Sequence, residues 1–170
     1  MVAQGQTVFL FAGDFGAYAD QSTLSVYDPA SRPLVTAVGG TTLSVSVSGG
    51  GVCTYVSETV WNDGESTPAT LNAGGGGIST IWPLPYWQAA IARTNEASFT
   101  NRNVPDVSLN ANNEGTATTP SASFYFEGSL MCGGRTSFAS PLWAAFTALV
   151  NEARAGNSLP PLGSPICRPS

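Results

Sequence analysis

The chain has 170 residues, 42% of them hydrophobic, which suits one domain with a real core and excludes a disordered polypeptide. Only 10% of residues are charged, against a usual share of about 25%, all six basic residues are Arg, and the net charge is −5, so nucleic acid is a poor partner. Histidine is absent from the sequence, which excludes a serine triad that uses imidazole as its proton carrier.

In chain order, residues 1–5 lack the basic stretch and following apolar run of a secretory signal. Residues 6–12 form a short apolar run that ends in a Gly-Asp-x-Gly turn, the pattern of a buried strand with a loop at its carboxyl end. Residues 34–38 repeat that pattern and stop at Gly39-Gly40. Residues 41–48 alternate Leu43, Val45 and Val47 with Thr and Ser, which predicts a strand with one buried and one wet face. Residues 55–61 and 123–131 are also extended. Residues 62–77 are mostly loop and close with Gly74, Gly75, Gly76 and Gly77.

Residues 85–93 open with proline, tolerated in a first helical turn, and predict a short helix. A longer helix is predicted over residues 138–155, with Leu142, Ala145, Phe146, Leu149 and Ala153 as its inward stripe. Pro141 falls in its first turn, where the missing N–H costs little. The run 141–150 is far too short to span a bilayer, so no membrane is expected as partner. Cys53, Cys132 and Cys167 lack metal-ligand spacing, leaving open one disulfide with one free thiol or three reduced thiols.

Ser137 stands at the amino end of the long helix, where unpaired backbone N–H groups and the helix dipole favour developing negative charge. Taken alone, Ser137 reads first as a helix cap, since Ser is a preferred residue there. Asp14 is equally well a turn residue ahead of Gly16. The four glycines are either a flexible loop or bare backbone beside which a peptide strand can lie. Trp82, Trp87 and Trp143 suit packing, and Asp106 suits a structural role.

Several ordered segments together resemble the sedolisin family of serine-carboxyl peptidases, which have a subtilisin-like fold. Thr136-Ser137-Phe138-Ala139-Ser140-Pro141 is similar to the family's Gly-Thr-Ser-x-x-x-Pro motif at a helix start. Gly13-Asp14-Phe15-Gly16 is similar to its Ser-Gly-Asp-Ser-Gly loop. Segments 36–43, 58–62, 74–79 with Trp87-Gln88, and 104–108 follow in family order.

The resemblance implies an α/β, subtilisin-like domain over residues 1–162, with a mostly parallel sheet flanked by helices. It also implies truncation at both ends and an unrelated tail over residues 163–170. It implies an endopeptidase with Ser137 as nucleophile, Asp14 as oxyanion stabiliser and Gly74, Gly75, Gly76 and Gly77 as a substrate-binding wall. The partner is a polypeptide substrate, and the parent family is secreted. A carboxylate base and a protonated carboxyl donor coexist only in acid, since free Glu and Asp titrate near ~4.3 and ~3.9.

Three departures accompany the resemblance. The family's Glu and Asp, one helical turn apart and upstream of the Asp14 strand, have no counterpart here. Arg135 stands where the family joins Gly directly to Thr, an extra residue expected to displace Ser137. Glu152 is the last acidic residue, so the family's calcium site is missing and no cofactor is expected. The alternative to an enzyme is a catalytically dead fragment or a peptide-binding module. An exposed sheet edge and apolar face are expected to make the isolated chain poorly soluble.

Overall fold

A computed structural model describes residues 4–64, 67–92 and 96–162. The tail 163–170, with Cys167, and the end of the predicted short helix at Arg93 lie outside the described residues. The frame is a four-stranded sheet of β1 (Phe9–Phe11), β2 (Thr36–Val47), β3 (Cys53–Val60) and β6 (Val107–Asn110). β2 runs parallel to β1 through Thr36, Ala37 and Val38, and parallel to β6 from Val38 to Thr41. Its second half turns back into the antiparallel β3, with a bulge at Ser44/Val45.

Two further antiparallel pairs complete the β structure, β4 (Gly77–Pro83) with β5 (Asn101–Val104), and β7 (Ala122–Phe126) with β8 (Ser129–Gly133). The parallel character expected of the whole sheet is thus confined to β1, β2 and β6. The short connections between β2 and β3 and between β7 and β8 permit only antiparallel return. Glu127 and Gly128, at φ 49° and 78°, form the two-residue turn between β7 and β8 that matches strand twist. Helix α1 (Thr136–Gly156) lies against β1, β2 and β6, and is the one α-helix among the described residues.

Gly39-Gly40 does not end a strand; β2 passes through both. A Cβ at Gly39 would lie 2.6 Å from Pro105 Cγ, and one at Gly40 would lie 2.8 Å from Ala111 Cβ, so close packing from both faces is what requires glycine. Predicted helix 85–93 is reduced to a 3-10 turn at Tyr86–Gln88. Pro83 and Pro85 flank a start with no side-chain cap, and Gln88 is drawn inward to Asn103 and Asp106.

The predicted inward stripe of α1 is reversed. Thr136, Ala139, Ser140 and Thr147 are the buried residues, while Leu142, Phe146 and Leu149 face outward. The sheet surface under α1 is narrow and glycine-rich, so small residues fit against it. On the opposite face Ala12, Ala30, Ala37 and Val104 form a compact core, packed by Leu10, Val26 and Tyr27. All eight β3 residues are exposed, with no strand on the outer edge among the described residues.

Beneath that core a buried ion pair locks β5 to β2. Arg102 Nη2 and Nη1 donate to Asp106 Oδ2 and Oδ1 at 2.6 and 2.8 Å, with both side chains almost wholly buried. Ala37 N–H also donates to Asp106 Oδ2 at 2.8 Å, and Gln88 Nε2 to Oδ1 at 3.0 Å. Asp106 is therefore saturated by structural donors.

Candidate active site

The turn after β1 and the middle of β2 meet the amino end of α1, Asp14 bonding Thr136 and Gly40 lying against the Thr136 side chain, and that convergence creates the site. Asp14 leaves β1 by the 13–16 turn, where Gly13 and Gly16 hold φ of 105° and 56°. Its Oδ1 accepts the Thr136 N–H at 2.9 Å and the Thr136 hydroxyl at 2.8 Å, while that hydroxyl also reaches Gly13 O at 3.1 Å. A carboxylate 122 residues away thus supplies the cap that Arg135 does not. Thr136 is fully buried, so the cap is shielded.

Ser137 is the next residue and is exposed at the helix mouth. Neither its N–H, unpaired as expected for a first-turn donor, nor its hydroxyl is held by another group among the described residues. Asp14 Oδ2 likewise has no hydrogen-bond partner among the described residues. A free hydroxyl, a free helix-end N–H and a free carboxyl oxygen therefore share one helix end. Such a set can present a nucleophile and two donors to a carbonyl, once Oδ2 is protonated.

Arg135 adopts φ 77° and ψ 165°, a backbone region that is essentially glycine's. Its N–H is bonded to Ala111 O at 2.7 Å, and a Cβ on Gly134 would lie 2.2 Å from Asn112 O, so the turn is held tightly from below. Asp14 still reaches Thr136, and the strain sits in Arg135's own backbone.

The four glycines thread between the other parts of the site. Gly74 N–H donates to Trp61 O at 2.8 Å, Gly75 N–H to Gly13 O at 2.7 Å and Gly76 N–H to Gly16 O at 3.3 Å. A Cβ on Gly75 would stand 2.2 Å from Ala12 O, which explains the bare backbone by close approach rather than by flexibility. Gly77, at φ 143°, begins β4. These contacts brace the Asp14 turn, and sequence reasoning did not foresee that role. Trp61, wholly buried and bonded to Asp63 Oδ1 at 2.8 Å, is the core residue under this segment.

Sedolisin of Pseudomonas sp. (strain 101) is 40% identical over 164 residues, 92% of this chain and 26% of that protein. Xanthomonalisin of Xanthomonas sp. (strain T-22) is 35% identical over 93% of this chain and 21% of its own length. The chain belongs to the sedolisin family. Kumamolisin of Bacillus sp. (strain MN-32) is 37% identical over 88% of this chain and 26% of its own length. No family model matches the chain.

The solved structure of Pseudomonas sedolisin, a serine-carboxyl proteinase complexed with two molecules of pseudo-iodotyrostatin, superimposes with a TM-score of 0.75 at 35% identity. The match covers 97% of this chain and 43% of that one, so the subtilisin-like fold is shared. The chain spans between 21% and 26% of the length of these curated sedolisin relatives.

Calcium in the sedolisin family calls for a cluster of oxygen donors. Among the described residues no group of three or more His, Cys, Asp or Glu side chains is assembled, and Glu152 projects from the exposed side of α1. Cys53 and Cys132 are free and exposed. Among the described residues no helix is long and apolar enough to cross a membrane.

Proposed function

We propose that residues 4–162 provide the nucleophile and oxyanion side of a serine-carboxyl endopeptidase site that hydrolyses peptide bonds of proteins in acid. The observation that carries this reading is the Asp14 carboxyl on Thr136, beside Ser137 at the first turn of α1. Ser137 Oγ attacks the scissile carbonyl as its proton passes to a carboxylate base that the described residues do not supply. The negative charge that develops on the carbonyl oxygen is met by the Ser137 N–H and by a proton on Asp14 Oδ2, since Oδ1 is occupied as an acceptor by two donors. A carboxyl donor and a carboxylate base coexist only in acid, so the rate is expected in a window of about pH 3 to 5.

The Gly74 to Gly77 segment forms the wall beside this site, and its first three amides are already spent on Trp61, Gly13 and Gly16. A substrate strand there is guided by shape and by carbonyl oxygens. Calcium has no place in the reading, and location outside the cell is the reading's counterpart of an acid-active family.

A second reading is favoured by one observation. No side chain among the described residues accepts a hydrogen bond from Ser137 Oγ, so the described residues supply no base, and the second reading is a peptide-binding module. Casein hydrolysis between pH 3 and 5 separates the two. It is measured on the 170-residue chain and on a chimera in which residues 4–162 replace the matched portion of Pseudomonas sedolisin. The chimera is expected to cut casein and to lose activity in Ser137→Ala, while the chain alone cuts at least about 1000-fold more slowly for want of a base. A folded chimera that does not cut overturns the peptidase reading.

A further inference from the structure

The arginines of this chain are few, and most of those described are spoken for. Arg32 pairs with Asp28, Arg102 with Asp106, and Arg154 donates through Nε to Pro160 O at 2.8 Å. Arg135 alone among the described arginines has neither an ion pair nor a side-chain hydrogen bond to any described residue, although it is half-buried. It stands one residue before Thr136, whose N–H and hydroxyl are bonded to Asp14, and two before Ser137. Consecutive Cα atoms are about 3.8 Å apart, so the Arg135 Cα lies within about 7.6 Å of that of Ser137. Its backbone, at φ 77° and ψ 165°, is one in which glycine sits without strain. A strained backbone beside a nucleophile, carrying a cation that the described fold does not use, points to a use for that side chain in binding.

We propose that Arg135 is a specificity-determining residue, which selects an aspartate or glutamate of the polypeptide substrate within two positions of the bond that Ser137 attacks. A guanidinium keeps its charge throughout the acid range and presents a planar fork of donors that matches a carboxylate. Asp14 is engaged by Thr136 and forms no ion pair with Arg135, so those donors stay open to a substrate. The neighbouring wall offers no competing recognition. Its glycines have no side chains, and the amides of Gly74, Gly75 and Gly76 are already bonded within the fold. A residue that only solvated this turn would do so at less strain as glycine. The inference rests on the peptidase reading above and deepens it by naming a substrate preference.

The test uses the chimera described above and peptides of one otherwise uncharged sequence, with Glu, Gln or Lys placed in turn at the two positions on either side of the cleaved bond. Values of kcat/KM are measured at about pH 5, where a free Glu, titrating near ~4.3, is mostly ionised. At one position or two adjacent ones, Glu is expected to be preferred over Gln by about 5- to 10-fold, and Lys to be the poorest. In Arg135→Gly the ratio of Glu to Gln falls to about 1, and in Arg135→Glu it inverts, with Lys preferred. Each ratio is read within one variant, so a change in absolute rate does not move it. A parent chimera that cuts the Gln peptides with a ratio near 1 at every position overturns the inference and leaves the peptidase reading standing. A preference for Glu that persists in Arg135→Gly assigns it to another group and overturns the inference too. A folded chimera that cuts none of the peptides overturns both.

Discussion

Arg135 is where sequence and structure make opposite claims about one residue. A residue inserted ahead of Thr136 is best deleted, whereas one occupying glycine's place is best replaced by glycine. The backbone at φ 77° and ψ 165° supports replacement. Holding a non-glycine residue in that region costs about 1 to 3 kcal/mol. Glycine's greater freedom in the unfolded chain takes back about 0.5 to 1 kcal/mol. Arg135→Gly is therefore expected to stabilise the chain by roughly 0.5 to 2 kcal/mol, a rise in melting temperature of a few degrees for this size.

Deleting Arg135 has the opposite expectation. The Ala111 O to Arg135 N–H bond of 2.7 Å fixes the turn, and removing one residue draws the Thr136 N–H away from Asp14. Loss of that charge-assisted cap costs about 1 to 2 kcal/mol. Urea unfolding followed by tryptophan fluorescence measures both variants against the parent chain. A deletion that stabilises, with Arg135→Gly neutral or destabilising, refutes the reasoning and restores the insertion.

Other consequences are equally direct. Asp106→Ala leaves the buried Arg102 guanidinium unpaired and is expected to cost about 3 to 5 kcal/mol, read in the same unfolding experiment; a loss below about 1 kcal/mol contradicts the structural role. The Arg32 hydrogen bond, together with its charge, holds the exposed Asp28 carboxyl below its ordinary value. This pair therefore stabilises the fold above the unfolded aspartate value near ~3.9 and releases only as pH falls through the lower folded value. Carboxyl-carbon NMR titration checks this, and a midpoint at or above 3.8 for Asp28 contradicts it. Calcium at millimolar concentration, or its removal by chelator, is expected to shift the melting temperature of the 170-residue chain by less than about 1 °C, whereas a bound ion raises it.

Where the sequence carried explicit backbone signals, the structure followed it. The apolar run before Gly13-Asp14 became β1, and Ser137 took the second position of a helix that begins at Thr136. The pairing of Asp14 with that helix end was legible only through resemblance, because no local pattern joins residues 122 positions apart. Gly39-Gly40 was misread as a strand end, and the close packing of Gly75 was not legible, for one shared reason. Glycine signals a turn and a close backbone approach alike, and only the neighbouring Ala111, Pro105 and Ala12 O distinguish them. The α1 stripe was correctly located and wrongly faced, since periodicity reports that an apolar face exists and not which neighbour covers it. Gly128 and Glu127 marked a hairpin inside a segment that had been taken as one extended run.

The most direct test of the central claim is the rate of casein or peptide hydrolysis by the chimera across pH 3 to 7, for the parent, Ser137→Ala, Asp14→Ala and Asp14→Asn. The account predicts no cleavage without Ser137 and a loss of about 100- to 1000-fold in kcat for Asp14→Ala. Asp14→Asn retains an acceptor for Thr136 and a donor that needs no acid, so it recovers part of that rate and extends activity toward neutral pH. A folded chimera whose rate is unchanged by Asp14→Ala, or which cleaves without Ser137, contradicts the account.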